Sequence, residues 1–216
     1  MMALLAWFDE ICRRAGGATV IMFSLLVLSG CAGVGVMSSD NQMENLHNAH
    51  VLFAREDRPL IAERLILQSI AVFKKHGNNI GLGDAYREYA ELLDSPSTSG
   101  KWKTYYENNG FLDGFTTYDR RAESAAYYYR KALVAYKRAV PDLEANKRYD
   151  YLTNDFYNAG HIDALLGNKQ GACEAYKRAL LAYRENMSAN PEAKPYSPTG
   201  SIPSLLDSNM RSLGCF

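Results

Sequence analysis

Two histidines three residues apart, His47 and His50, are the first side chains in the sequence that chemistry could use. On a helix that spacing puts two imidazoles on one face, which is half of a metal site. No third ligand follows at a matching spacing, so the pair reads as two ordinary helix histidines and no metal is expected. Gly81-Leu82-Gly83 does not continue into a dinucleotide-binding turn, there is no Walker loop, and no serine stands in a Gly-x-Ser-x-Gly elbow. With no nucleophile or carboxylate pair in view, the chain reads as a non-enzyme without a small-molecule substrate. Lys plus Arg is 24 and Asp plus Glu is 24. That balance excludes the electrostatic footprint of a nucleic-acid binder and a polybasic membrane patch.

The segment Ser95–Tyr118 is different. It gathers Trp102, Tyr105, Tyr106, Phe111, Phe115 and Tyr118 in a short stretch. Long loops in compact domains tend to be functional, and aromatic residues are enriched where proteins bind each other. Trp102, Tyr105, Tyr106 and Phe111 are therefore candidate partner contacts. Packing back onto the domain is the competing reading, and the two are compatible.

The elements that must carry these residues are helical. The run Ala122, Ala125, Ala126, Tyr129, Ala132, Leu133, Tyr136, Ala139, Val140 repeats at three- and four-residue steps, an apolar stripe about five turns long. Asp119 is placed to cap its start and Pro141 to stop it. A second pattern follows: Phe156, then Ala159-Gly160, then Gly167, then Ala172, Tyr176 and Ala179. Its order of large, small and turn residues resembles a tetratricopeptide repeat, a unit of about 34 residues in two antiparallel helices. Weaker copies precede it. Ala62, Ile66 and Ser69 fit a second helix paired with Leu46, Ala49 and Phe53, although His50 stands where a small residue is usual. Ala85, Tyr86, Tyr89, Ala90 and Leu93 fit a first helix, whose partner is the stripe at 122–140 beyond the insertion.

The resemblance implies an all-α fold: a right-handed solenoid of about three hairpins, at 43–76, 80–140 and 146–188, with a C-terminal capping helix. The domain spans 43–190 with the insertion at 95–118. The tail 191–216 holds Pro191, Pro195, Pro198, Gly200 and Pro203, then a short helix from Ser204 to Leu213, with Leu205, Leu206 and Leu213 to cover the last repeat. Repeats of this family bind peptides in a groove lined by first helices. Carried over by position, that groove would hold His47, then Asp84, Arg87 and Glu91, then Asn154, Tyr157 and His161.

The N-terminus adds a destination. Arg13-Arg14 precede an uncharged stretch, Ala15–Leu28, shorter than the ~20 residues that span a bilayer. Leu28-Ser29-Gly30-Cys31 then resembles the lipobox of bacterial lipoproteins. The resemblance implies removal of residues 1–30, lipid on Cys31 as the sole covalent addition and no other cofactor. Residues 31–42 would be a tether, and Ala32 after the cysteine implies an outer-membrane anchor facing the periplasm. Export would leave Cys173 and Cys215 in an oxidising compartment. A bridge between them would close a long loop, worth roughly 4 kcal/mol. Two separate buried cysteines are the alternative.

The function expected from these readings is a membrane-anchored protein–protein interaction module of the bacterial envelope, an adaptor, pilotin-like or secretion-apparatus lipoprotein. Its partner would be another envelope protein or peptide. The alternative is a periplasmic immunity protein that neutralises a delivered toxin. An enzyme acting on peptidoglycan ranks below both.

Overall fold

Local sequence explains most helix ends. Helix α1 (Gln42–Ala54) starts where the Asn41 side chain accepts from the Met43 N–H. Helix α2 (Pro59–His76) takes Pro59 in its first turn, where a missing N–H costs nothing, and ends on Lys74, Lys75 and His76, cations that favour the negative end of the helix dipole. Gly77 closes it in the left-handed region, at φ 66°. Helix α3 (Asn79–Asp94) is capped by Asn78. The computed structural model describes residues 39–192 and 201–216, and no strand occurs among them. Cys31, the stretch before it and the tether to residue 38 lie outside the described residues.

The insertion contains two short helices, α4 (Pro96–Ser99) and α5 (Lys103–Asn109), and a 3-10 turn at Tyr118–Arg120. Then come α6 (Arg121–Ala145), α7 (Tyr149–Leu165), α8 (Lys169–Ala189) and α9 (Ile202–Leu213). Residues Ser39–Phe216 form one unit in which α1 packs on α2, α3 on α6 across the insertion, and α7 on α8. Helices α2 and α3 join the first pair to the second, and α6 and α7 the second to the third.

Close approach within the pairs depends on missing side chains. A Cβ on Gly83 of α3 would lie 2.5 Å from Tyr136 Cε1 of α6. A Cβ on Gly160 of α7 would lie 2.7 Å from Tyr176 Cδ1 of α8. Both tyrosines are almost fully buried, so each ring occupies the space that a larger residue on the facing helix would fill.

Two expected boundaries are corrected. Pro141 does not stop α6, which runs another turn to Ala145. A mid-helix proline costs about 3 kcal/mol. The extra turn buries Leu143 among Leu152, Phe156 and Ala139, and that burial offsets much of the cost. Asp119 does not cap α6 either. It lies inside the 3-10 turn, and Arg120 stands at the cap position without a side-chain capping bond. The apolar stripe is also shifted: Tyr128 and Ala135 are buried, whereas Ala122 is exposed.

At the other end, the Ser201 hydroxyl accepts from the Ser204 N–H and starts α9 two residues earlier than expected. The helix lays Leu206 and Met210, one turn apart, on the cluster formed by α6, α7 and α8. Leu213 is partly buried against the same cluster, while Leu205 is not part of it. Cys215 follows and is joined to Cys173 of α8 as a disulfide, with Cα atoms 5.6 Å apart.

Candidate functional site

Helices α1, α3 and α7 face one open cavity of about 360 Å3, with Met43 from α1, Gly81 and Asp84 from α3, and Tyr151, Asn154, Asp155 and Asn158 from α7. Of the expected groove residues, Asp84 and Asn154 line this cavity. His47, Arg87, Glu91, Tyr157 and His161 are not part of the lining. His47 and His161 are exposed, and Tyr157 is half-buried with its ring 6.0 Å from that of Tyr176.

Asp84 is well bonded. Its Oδ1 accepts from the Tyr136 hydroxyl at 2.7 Å and from Asn158 Nδ2 at 3.4 Å. Burial nevertheless holds its carboxyl above the ordinary range. Asp155 is the reverse case. It is 2% exposed, and its Oδ2 is buried without a hydrogen-bond partner among the described residues. Burial, with repulsion from Asp84 added, pushes its carboxyl up to about 7.

Next to this cavity lies an ion network. Arg87 donates to Glu88 Oε1 at 2.7 Å and to Glu91 Oε1 at 2.5 Å. The other oxygens of both carboxylates turn to His50 of α1, at 3.0 Å from Glu88 and 3.7 Å from Glu91. The hydrogen bond with Glu88 raises the His50 pKa, although burial pulls the other way. His50 Nδ1, Glu88 Oε2 and Glu91 Oε2 lie within 4.8 Å of one another, close enough to share a cation. Arg87 already supplies the positive charge those carboxylates need, so the network reads as a tie between α1 and α3. The sequence spacing paired His50 with His47; its bonded partners stand on α3 instead.

Charge is sorted between the helices. Among the described residues, α1, α3 and α7 carry eight acidic side chains and one basic, Arg87. Their partners α2, α6 and α8 carry twelve basic and six acidic. A chain with no net charge is therefore acidic along one set of helices and basic along the other.

The insertion is held by a buried acid that sequence reasoning missed. Glu63 of α2 is fully buried. Its Oε1 accepts from the Tyr89 hydroxyl at 2.8 Å and the Leu112 N–H at 2.7 Å, and its Oε2 from the Tyr106 hydroxyl at 3.3 Å. Burial raises its carboxyl to about 7. Tyr106 stacks on Phe111 with centroids 4.2 Å apart, and both rings are buried. Trp102 Nε1 donates to the Asp57 carbonyl at 2.8 Å. Of the four aromatic contact candidates, Tyr106 and Phe111 face inward, Trp102 is half-buried and Tyr105 is exposed. Phe115 and Tyr127 are also open at the surface, with ring centroids 6.1 Å apart.

No helix among the described residues is long and apolar enough to cross a membrane. No protein-family profile, curated protein or solved structure matches the chain.

Proposed function

We propose that the chain is a lipid-anchored interaction module of the bacterial envelope. In this reading α1/α2, α3/α6 and α7/α8 are three tetratricopeptide-like hairpins in a right-handed stack, and α9 caps the last. The first helices hold a segment of another envelope protein, and lipid on Cys31 keeps the module at the outer membrane. The supporting observation is the cavity shared by α1, α3 and α7, whose lining includes a carboxylate oxygen with no partner among the described residues. Buried polar atoms are nearly always satisfied, so such an exception in a groove points to a ligand that completes it.

Photo-crosslinking in cells tests the groove by position. A benzoylphenylalanine at Asn154, exposed on α7, is expected to give a discrete adduct with an envelope protein. The same probe at Leu181, exposed on α8, is expected to give none. Adducts from Leu181 alone, or from Phe115 alone, would move the binding surface away from the groove. Cys31→Ser is expected to release the protein from the membrane fraction, and retention of a processed chain would refute the anchor.

A further inference from the structure

Asp155 lines two cavities, so its missing partner could arrive from either side. The second cavity, about 440 Å3 between α6, α7 and α8, has two cations, Lys137 and Arg178, and two further acids, Asp163 and Glu174, in its lining. Those four charges balance, and the charge that acts on the Asp155 carboxyl is none of them but Asp84, which lines the first cavity. The first has Asp84 beside Asp155 and belongs to the acidic helices. Its one cation, Arg148, is engaged elsewhere. Arg148 bonds both oxygens of Asp150 at 3.3 Å and lies 4.1 Å over the Tyr151 ring. No donor of the described residues reaches Asp155 Oδ2.

We infer that the cavity between α1, α3 and α7 is a recognition site for a cationic side chain, a lysine or arginine of the bound segment, with Asp155 and Asp84 as its counter-charges. The inference rests on the groove reading above and makes it specific. A lone buried carboxylate is unfavourable, and a second beside it adds repulsion. An ammonium or guanidinium supplies both missing terms at once: a donor for the unpartnered oxygen and a charge between two acids. A neutral peptide supplies neither. The acidic excess on α1, α3 and α7 would attract basic segments from a distance and reject acidic ones, an effect that weakens with salt.

The test uses the full chain in detergent micelles and three end-blocked pentapeptides, identical except for a central lysine, norleucine or glutamate. Amide resonances are followed by NMR during titration. The lysine peptide is expected to shift Asn154, Asn158 and the Asp84 turn of α3. The norleucine and glutamate peptides should bind at least about tenfold more weakly. Asp155→Asn keeps the side-chain shape and removes the charge, and is expected to erase the lysine preference. Asp84→Asn is expected to reduce it. Equal shifts from the lysine and norleucine peptides would overturn the cationic site and leave the groove intact. An unchanged lysine preference in Asp155→Asn would also overturn it. Silence from all three peptides would do the same, and the groove would then stand or fall on the Asn154 crosslink.

Discussion

Asp155→Asn is expected to make the protein more stable, and by an amount that depends on pH. The ordinary aspartate value is 3.8, and in the fold Asp155 sits at about 7. The folded value is raised, so between those two pH values the folded state binds a proton that the unfolded state has released. Stability therefore falls as pH rises through that window and is flat above it. Each pH unit is worth about 1.4 kcal/mol. From pH 5 to pH 8 the slope acts over about two units, so the wild-type protein loses about 2–3 kcal/mol through this one side chain. Asparagine does not titrate. The gain from Asp155→Asn is thus expected to be about 2–3 kcal/mol larger at pH 8 than at pH 5. Glu63 is also raised to about 7, but it is present in both proteins and cancels in the difference. Urea unfolding of both chains at the two pH values measures the quantity. A gain that is the same at pH 5 and pH 8 would show that Asp155 reaches solvent or a partner in the fold. The account of the groove built on its isolation would then fail.

Other expectations follow from the same contacts. Glu63→Ala leaves the Tyr89 and Tyr106 hydroxyls and the Leu112 N–H without their acceptor. It is expected to cost about 3 kcal/mol at pH 6 and to expose 95–118 to protease, while Glu63→Gln, which keeps an acceptor, costs under about 1 kcal/mol. Gly160→Ala forces a methyl against the Tyr176 ring and is expected to cost about 1–3 kcal/mol in urea unfolding, with a shift in near-ultraviolet tyrosine dichroism. Cys215→Ser opens a link across a sequence separation of 42 and is expected to lower stability by about 4 kcal/mol on the chain-entropy model. Mass measurement without reductant checks the bridge itself, and a free pair of thiols in exported protein would refute it.

Helix pairing was legible because it depends on residue size, which sequence displays directly. Ala159-Gly160 against Tyr176 predicts a close approach, and Gly160 lies under that ring. Pro141 misled because local propensity is a weak term beside burial, and Leu143 lies beyond it. Glu63 and Asp155 were missed although each left a mark. Glu63 interrupts Leu60-Ile61-Ala62-Glu63-Arg64-Leu65-Ile66, and Asp155 falls on the stripe Leu152, Asp155, Phe156, Gly160. A carboxylate at an apolar position is the visible sign. Its partner is not visible, because Tyr106 and Leu112 lie more than forty residues from Glu63 and reach it only through the fold.

Glu63 and Asp155 divide what a buried carboxylate can do. Both are pushed to about 7 by burial. Glu63 accepts from three donors and ties the insertion to α2, so its desolvation cost is offset within the chain. Asp155 has no such return, and the charge of Asp84 raises its pKa further. A packing role would be served as well by asparagine or leucine at that position, with no charge to bury. The cost becomes intelligible if part of it is recovered on binding. A group held unsatisfied in the free protein contributes more to affinity than one already bonded, because the ligand replaces no internal partner. On this argument the residue that most weakens the free fold is the one that most strengthens its complex. Stability and affinity should then move in opposite directions when Asp155 is changed, and together when Glu63 is.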